Sequence, residues 1–295
     1  MAAGPRVRAG PVVRSSSGPA GVECVAVVGE ALAMGLMRRL FEHRRLLIEL
    51  VRRDIRGRFA GARLGLAWSL LNPVIQLGSY SIIFGVLYPA VHPLGSRGFI
   101  AALFCGLWPW WAFSDGLQRG MTALVDQAGL LRRLPIPADV CVVASTLVAF
   151  GLQMAGFALF LLLFGGIGVV PPRPGWLLLP LLALLTFGLT AALGLLLAPF
   201  QLAIRDTAHV VSAALTLGFF VSPVLYEVDR VPEVARPLIE LNPMTGLIGA
   251  FRTLVLGAAW PPLSSLVALA VVLLVLPVVA AWLFRRIEGR LDEYA

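Results

Sequence analysis

The sequence predicts an all-α integral membrane protein with six transmembrane helices, an N-terminal amphipathic interface helix and two short re-entrant helices before the last span. Three observations carry this fold class. Of 295 residues, 59% are hydrophobic and 14% charged, with a mean hydropathy of +0.88, whereas soluble domains carry about 25% charged residues. Six apolar runs approach the roughly 20 residues that one bilayer crossing requires. The cations are segregated along the chain, crowded before the first run and sparse in alternate loops.

Residues 1–32 are rich in Ala, Gly, Pro, Ser and Val without helical periodicity, and predict a loose tail. Its apolar patch from Val22 to Val28 is short and carries Glu23, a poor fit to a signal peptide. From residue 33 a membrane domain is expected to run to the C-terminus. It opens with an interface helix over 33–59. Leu36, Leu40, Leu47, Val51 and Ile55 share one arc of that helix, and Arg38, Arg45, Arg52 and Arg56 share the other. Such a helix lies among lipid headgroups, with its cations against anionic lipids; a soluble helix packed on a partner would show the same pattern.

The spans are expected at about 66–90, 99–118, 138–164, 176–200, 207–226 and 263–284. Six crossings place both ends on one side. Arginine decides which: twelve lie at or before Arg63, Arg119, Arg132 and Arg133 lie in the second loop, Arg205 in a turn, and Arg285, Arg286 and Arg290 in the tail. The alternate loops hold only Arg97, Arg173, Arg230, Arg236 and Arg252, so both termini are expected in the cytoplasm. The connection after the fifth run, residues 227–257 and its proline-rich tail, is too polar to span and too apolar to float free. Two short helices broken at Asn242-Pro243 fit it, the proline excluding helix before it and the asparagine capping the next. Irregular backbone at membrane depth must line protein or a wet cavity, which suggests an exit gate.

Several chemistries are excluded. All 24 basic residues are arginine, so no phosphate-binding G-x-x-x-x-G-K-[ST] loop exists and ATP hydrolysis would need another chain. Cys24, Cys105 and Cys141 have no C-x-x-C spacing and suggest no disulfide framework or zinc site. No catalytic constellation and no internal repeat stand out. Asp115 is the main ionisable group within a run, too little for a proton or ion relay.

Three stretches resemble the transmembrane permease subunits of ABC-type exporters for cell-surface polysaccharides, such as O-antigen, capsule, teichoic acid and galactan. "ELVRRDIRGRFAGARLGLAWSLLNP" carries Arg53, Asp54, Ile55, Phe59, Leu64, Gly65, Trp68 and Pro73 in the family's order. "GLLRRLPIPADV" is similar to its apolar-basic cytoplasmic segment. The stretch from Arg205-Asp206 through Ser222-Pro223 to Asn242-Pro243 is similar to its turn, exit and gate segment. The likeness covers about residues 40–284; Ala62 stands where the family often has serine, and the tail has no counterpart.

The resemblance implies a homodimer in the bacterial plasma (inner) membrane that lines a channel for a lipid-linked polysaccharide. Two copies of an ABC ATPase would bind ATP and Mg below it; this chain would hold no cofactor or metal and no nucleic acid. Segment 129–137 is expected to be the coupling helix, with Leu130, Leu131, Arg132, Arg133, Leu134, Pro135 and Pro137 meeting the ATPase and Arg205 and Asp206 as a second contact. At the entrance Arg52, Arg53, Arg56 and Arg58 could grip a lipid pyrophosphate through their planar forks, or only anchor the helix in lipid; Asp54 would pair with a neighbouring arginine. Trp108, Trp110 and Trp111 sit mid-run, where they could line the channel for sugars or pack between subunits. Pro223, Asn242 and Pro243 would form the outer gate. A permease of this architecture for a small lipid, drug or haem is the closest rival. A membrane glycosyl- or phosphotransferase is the rival of another class, disfavoured because Glu227, Asp229, Glu233 and Glu240 form no D-x-D cluster.

Overall fold

The computed structural model describes residues 38–59, 67–83, 95–134 and 136–288. The tail 1–32, the link holding Arg63, Leu64 and Gly65, and Pro135 lie outside the described residues. Among the described residues all regular structure is helical, with no strand.

Helical backbone from Arg38 passes a turn at His43 into α1 (Arg44–Phe59). Then come α2 (Ala67–Ile82), the 32-residue α3 (Gly95–Asp126) and the four-residue α4 (Ala128–Leu131). They are followed by α5 (Ala138–Gly166), α6 (Leu179–Ala203) and α7 (Thr207–Val221). Short α8 (Arg236–Glu240), α9 (Pro243–Leu256) and α10 (Leu263–Glu288) close the chain.

Among the described residues three stretches are long and apolar enough to cross a membrane: Ala138–Gly166, Pro174–Ala203 and Leu263–Arg286. Their surfaces carry exposed leucines and valines, such as Leu162, Leu184 and Leu274, as acyl-chain solvent requires. The fifth expected run stops early. With 15 residues, α7 spans about 22 Å, short of the ~30 Å hydrocarbon core. Pro223 is the cause: its ring excludes the α region at the residue before it, and Ser222 is extended, φ −83° and ψ 143°.

α3 is the axis. Its Phe104, Leu107 and Trp108 are fully buried, and Phe104 stacks on Phe157 and Phe160 of α5 at 4.9 and 4.8 Å. Further along, small residues bring three backbones together. A Cβ on Gly116 would lie 2.9 Å from Thr190 Cγ2, and one on Gly120 would strike Thr146 Oγ1 with Gly194 Cα at 3.5 Å. Close approach through Gly, Ser and Thr is how helices gain van der Waals contact where lipid removes the hydrophobic drive.

Candidate functional site

At the end of the bundle where α3 finishes and α5 begins, α1 lies across both. Leu50 is buried, and Leu47 and Val51 pack with it on Val140, Cys141 and Ala144 of α5. The apolar arc is thus satisfied by the chain's own fifth helix, not only by lipid or a partner; Ile48 remains exposed. Two ion pairs fix the ends of this segment. Arg39 lies 3.6 Å from the buried Asp139, whose Oδ1 also accepts from the Val140 N–H. Arg58 Nη2 donates to Asp115 Oδ2 at 3.1 Å, the two side chains 21% and 27% exposed.

That second pair corrects the expectation for Arg58, whose Nη2 is turned inward onto Asp115, and it gives the main ionisable group within an apolar run a cation for its partner. The other arginines differ among themselves. Arg52 pairs with Glu49 at 3.1 Å on the surface, Arg56 is exposed, and Arg53 borders a polar cleft of about 230 Å³ with Asp54, Arg119, Asp126, Gln127 and Ser145.

Asp54 is half-buried and forms no ion pair within 4 Å among the described residues, so the expected local pairing is replaced by a longer-range field. Burial pushes its carboxyl above the ordinary 3.8; Arg119, Arg58 and Arg53 pull it down, while Asp126 adds to the rise. The folded protein therefore holds this proton more tightly than the unfolded chain. The corresponding stability is complete below the unfolded value and is lost as pH rises through the folded one. Asp54→Asn is expected to raise the Tm at neutral pH, with the gain over wild type shrinking as the pH is lowered; a Tm difference independent of pH would contradict this.

Segment 129–137 divides by side chain. Leu130 and Leu131, partly buried, pack inward onto the clusters around Val140 and Val142, not outward as leucines expected to meet an ATPase would. Arg132, Arg133 and Leu134 project, Leu134 at 49% exposure, and Pro137 caps α5 with φ −59°. Neither arginine forms an ion pair among the described residues. Arg205 and Asp206 are also exposed, in the turn between α6 and α7.

Trp108 is 1% exposed, and its indole N–H donates to the Gln153 carbonyl at 2.6 Å. Enclosed and satisfied within one protomer, it has no face left to line a passage. Trp111 packs edge-on to it with ring centres 5.8 Å apart. Trp110 does reach an apolar groove of about 390 Å³ between α3, α6, α7 and α10.

At the other end of α3 the chain has helices on both sides of Asn242-Pro243. Asn242 Oδ1 accepts from the Met244 N–H at 3.0 Å, and its Nδ2 donates to Ser222 Oγ at 2.8 Å. One amide thus caps α9 and ties it to the end of α7, beside buried Pro223. Sequence reasoning missed Arg252, which donates to the carbonyls of Val224 at 2.8 Å, Tyr226 at 2.9 Å and Ala102 at 3.4 Å. It counted there only as a loop cation. The Gly116-x-x-x-Gly120 spacing was also passed over, although small residues four apart are a readable signal of helix contact. No cluster of three or more metal-ligating side chains occurs among the described residues.

Residues 45–256 match the model of the ABC-2 type transporter membrane family. The chain belongs to this family. The match runs from the start of α1 to the end of α9, taking in the arginine-bearing end, the central α3 and the Asn242 cap. Among relatives of this ABC-2 protein is the O-antigen export system permease protein RfbA of Myxococcus xanthus, 34% identical over 267 residues, 88% of this chain and 98% of the relative. The Klebsiella pneumoniae protein of the same name is 24% identical over 213 residues, 71% and 79% of the two chains. The polysialic acid transport protein KpsM of Escherichia coli is 25% identical over 223 residues, 75% and 85%.

Proposed function

We propose that this protein is the channel-forming permease subunit of an ATP-driven exporter that moves a lipid-linked polysaccharide outward across a bacterial plasma membrane. The similarity to an O-antigen export permease along 98% of that relative's length carries the reading. It works as a homodimer with two ABC ATPase subunits, which bind the ATP and Mg that a chain without lysine has no loop to hold. Residues 33–295 form one membrane domain behind a tail, with α2, α3, α5, α6, α7 and α10 as its spans and both termini cytoplasmic. The turn over Ser222–Tyr226 continues the chain beyond the short α7, and α8 and α9 form a re-entrant outer gate with Pro223, Asn242 and Pro243.

Force enters through the turn after α4. Leu130 and Leu131 seat it on the body, leaving Arg132, Arg133 and Leu134 for the ATPase, with Arg205-Asp206 a smaller second contact. At the entrance Arg53 and Arg56 have guanidinium groups open to a lipid pyrophosphate, which planar forks bind through paired charge-assisted bonds. Arg52 stands beside them, and Arg58 holds the helix in place through Asp115.

A deletion strain is expected to lose surface glycan and accumulate lipid-linked glycan inside, and the wild-type gene restores display. Complementation with Arg53→Glu together with Arg56→Glu should leave the accumulation in place at normal protein levels. Normal surface glycan in the deletion strain would overturn the function; normal glycan in the double variant alone would reduce α1 to an anchor.

A further inference from the structure

The structure assigns to Arg252 a positioning role: it pins the Val224–Tyr226 segment against α3 and so holds the outer end of the passage shut. This rests on the export reading above. A guanidinium presents its N–H donors in one rigid plane, and here three nitrogens reach carbonyls on two separate segments, Val224 and Tyr226 on one and Ala102 on α3. The donor is a charged guanidinium, so each is a charge-assisted bond, stronger than one between neutral groups.

The seat on α3 is cut to fit. A Cβ on Gly106 would lie 2.6 Å from the Val224 oxygen and 3.2 Å from Arg252 Nη2, so any larger residue there must push both away. α9 grips the same stretch a second time, through Asn242 on Ser222. Because both grips come from one helix, α9 and residues 222–226 move as a unit. The neighbouring α7, in which only Leu215 is buried, offers little resistance to that motion.

Two native thiols report on this. Cys105 is fully buried next to Gly106 and lies within electrostatic range of Arg252. Cys141 is equally buried at the opposite end of the bundle, at the start of α5. In the full-length protein with Cys24→Ser, reconstituted in lipid with its ATPase, maleimide should modify both slowly. In Arg252→Met, labelling of Cys105 is expected to rise at least about tenfold with Cys141 unchanged, and surface glycan in cells to fall by a similar factor; such a gain corresponds to ~1.4 kcal/mol.

Gly106→Ala, which crowds the pin from the other side with Arg252 intact, should give the same pattern and carries the test if Arg252→Met does not accumulate. Cys105 as protected in the variants as in wild type would overturn the pin. So would equal acceleration of both thiols, since Arg252 would then only support the fold. Both results are independent of the glycan: a deletion strain with normal surface polysaccharide would overturn the export reading while the thiol comparison still decided whether the pin exists.

Discussion

Replacing Arg132 and Arg133 together with alanine is expected to abolish surface display of the glycan while the protein stays in the membrane at its normal level. Both side chains are exposed and without an ion pair among the described residues, so no ion pair there depends on them. Surface substitutions of that kind usually change stability by no more than about 0.5 kcal/mol. The turn itself survives because Leu130 and Leu131 anchor it from below, and Pro137 starts α5 independently of it. An arginine at the centre of a protein contact is another matter: losing one costs ~2 kcal/mol or more, about 30-fold in affinity. The double variant should therefore fail to copurify the ATPase. Retained copurification with normal surface glycan would show that force enters elsewhere, Arg205-Asp206 being the next place to look.

The second large effect is on the fold. Gly120→Leu is expected to eliminate the folded protein, read as loss of the monodisperse peak in detergent and of membrane accumulation. At Gly120 even one carbon collides with Thr146 Oγ1, and that hydroxyl is held by its own bond to the Val142 carbonyl at 2.9 Å. Gly194 of α6 also adjoins, its Cα 3.5 Å from the added carbon, so a larger side chain must separate the helices. Overpacking a core costs about 1–3 kcal/mol when side chains can relax, and a bonded hydroxyl from one helix together with backbone from another makes this a case at or above the upper end. Gly151→Leu on α5 supplies the control, since among the described residues nothing beyond its own stretch of helix lies within 4 Å of a Cβ there. Equal loss in both variants would mean that added bulk anywhere in these helices is harmful, and the three-helix crossing would lose its special standing.

The residues that made these predictions possible were unequally readable. Exposure of the Arg132-Arg133 pair follows from a short basic stretch between two apolar runs, and needed only the hydropathy pattern. The inward turn of Leu130 and Leu131 did not, because a four-residue helix has no periodicity long enough to define a buried face. Trp108 misled for a related reason. A mid-run indole needs a partner for its N–H, but composition cannot say whether that partner is a ligand or the Gln153 carbonyl 45 residues away. The partner of Asp115 could not be read at all, because its cation, Arg58, is 57 residues distant.

By itself the amino-acid sequence determined the membrane class, the helical backbone, the places where prolines end helices and the crowding of arginine at one end, since each depends on residues within a few positions of one another. Which arginine meets a carboxylate, which tryptophan is sealed, and that Arg252 bridges 150 residues back to Ala102 were decided by the tertiary structure alone. Those are pairings between surfaces that exist only once helices have packed, and their spacing along the chain carries no trace of them.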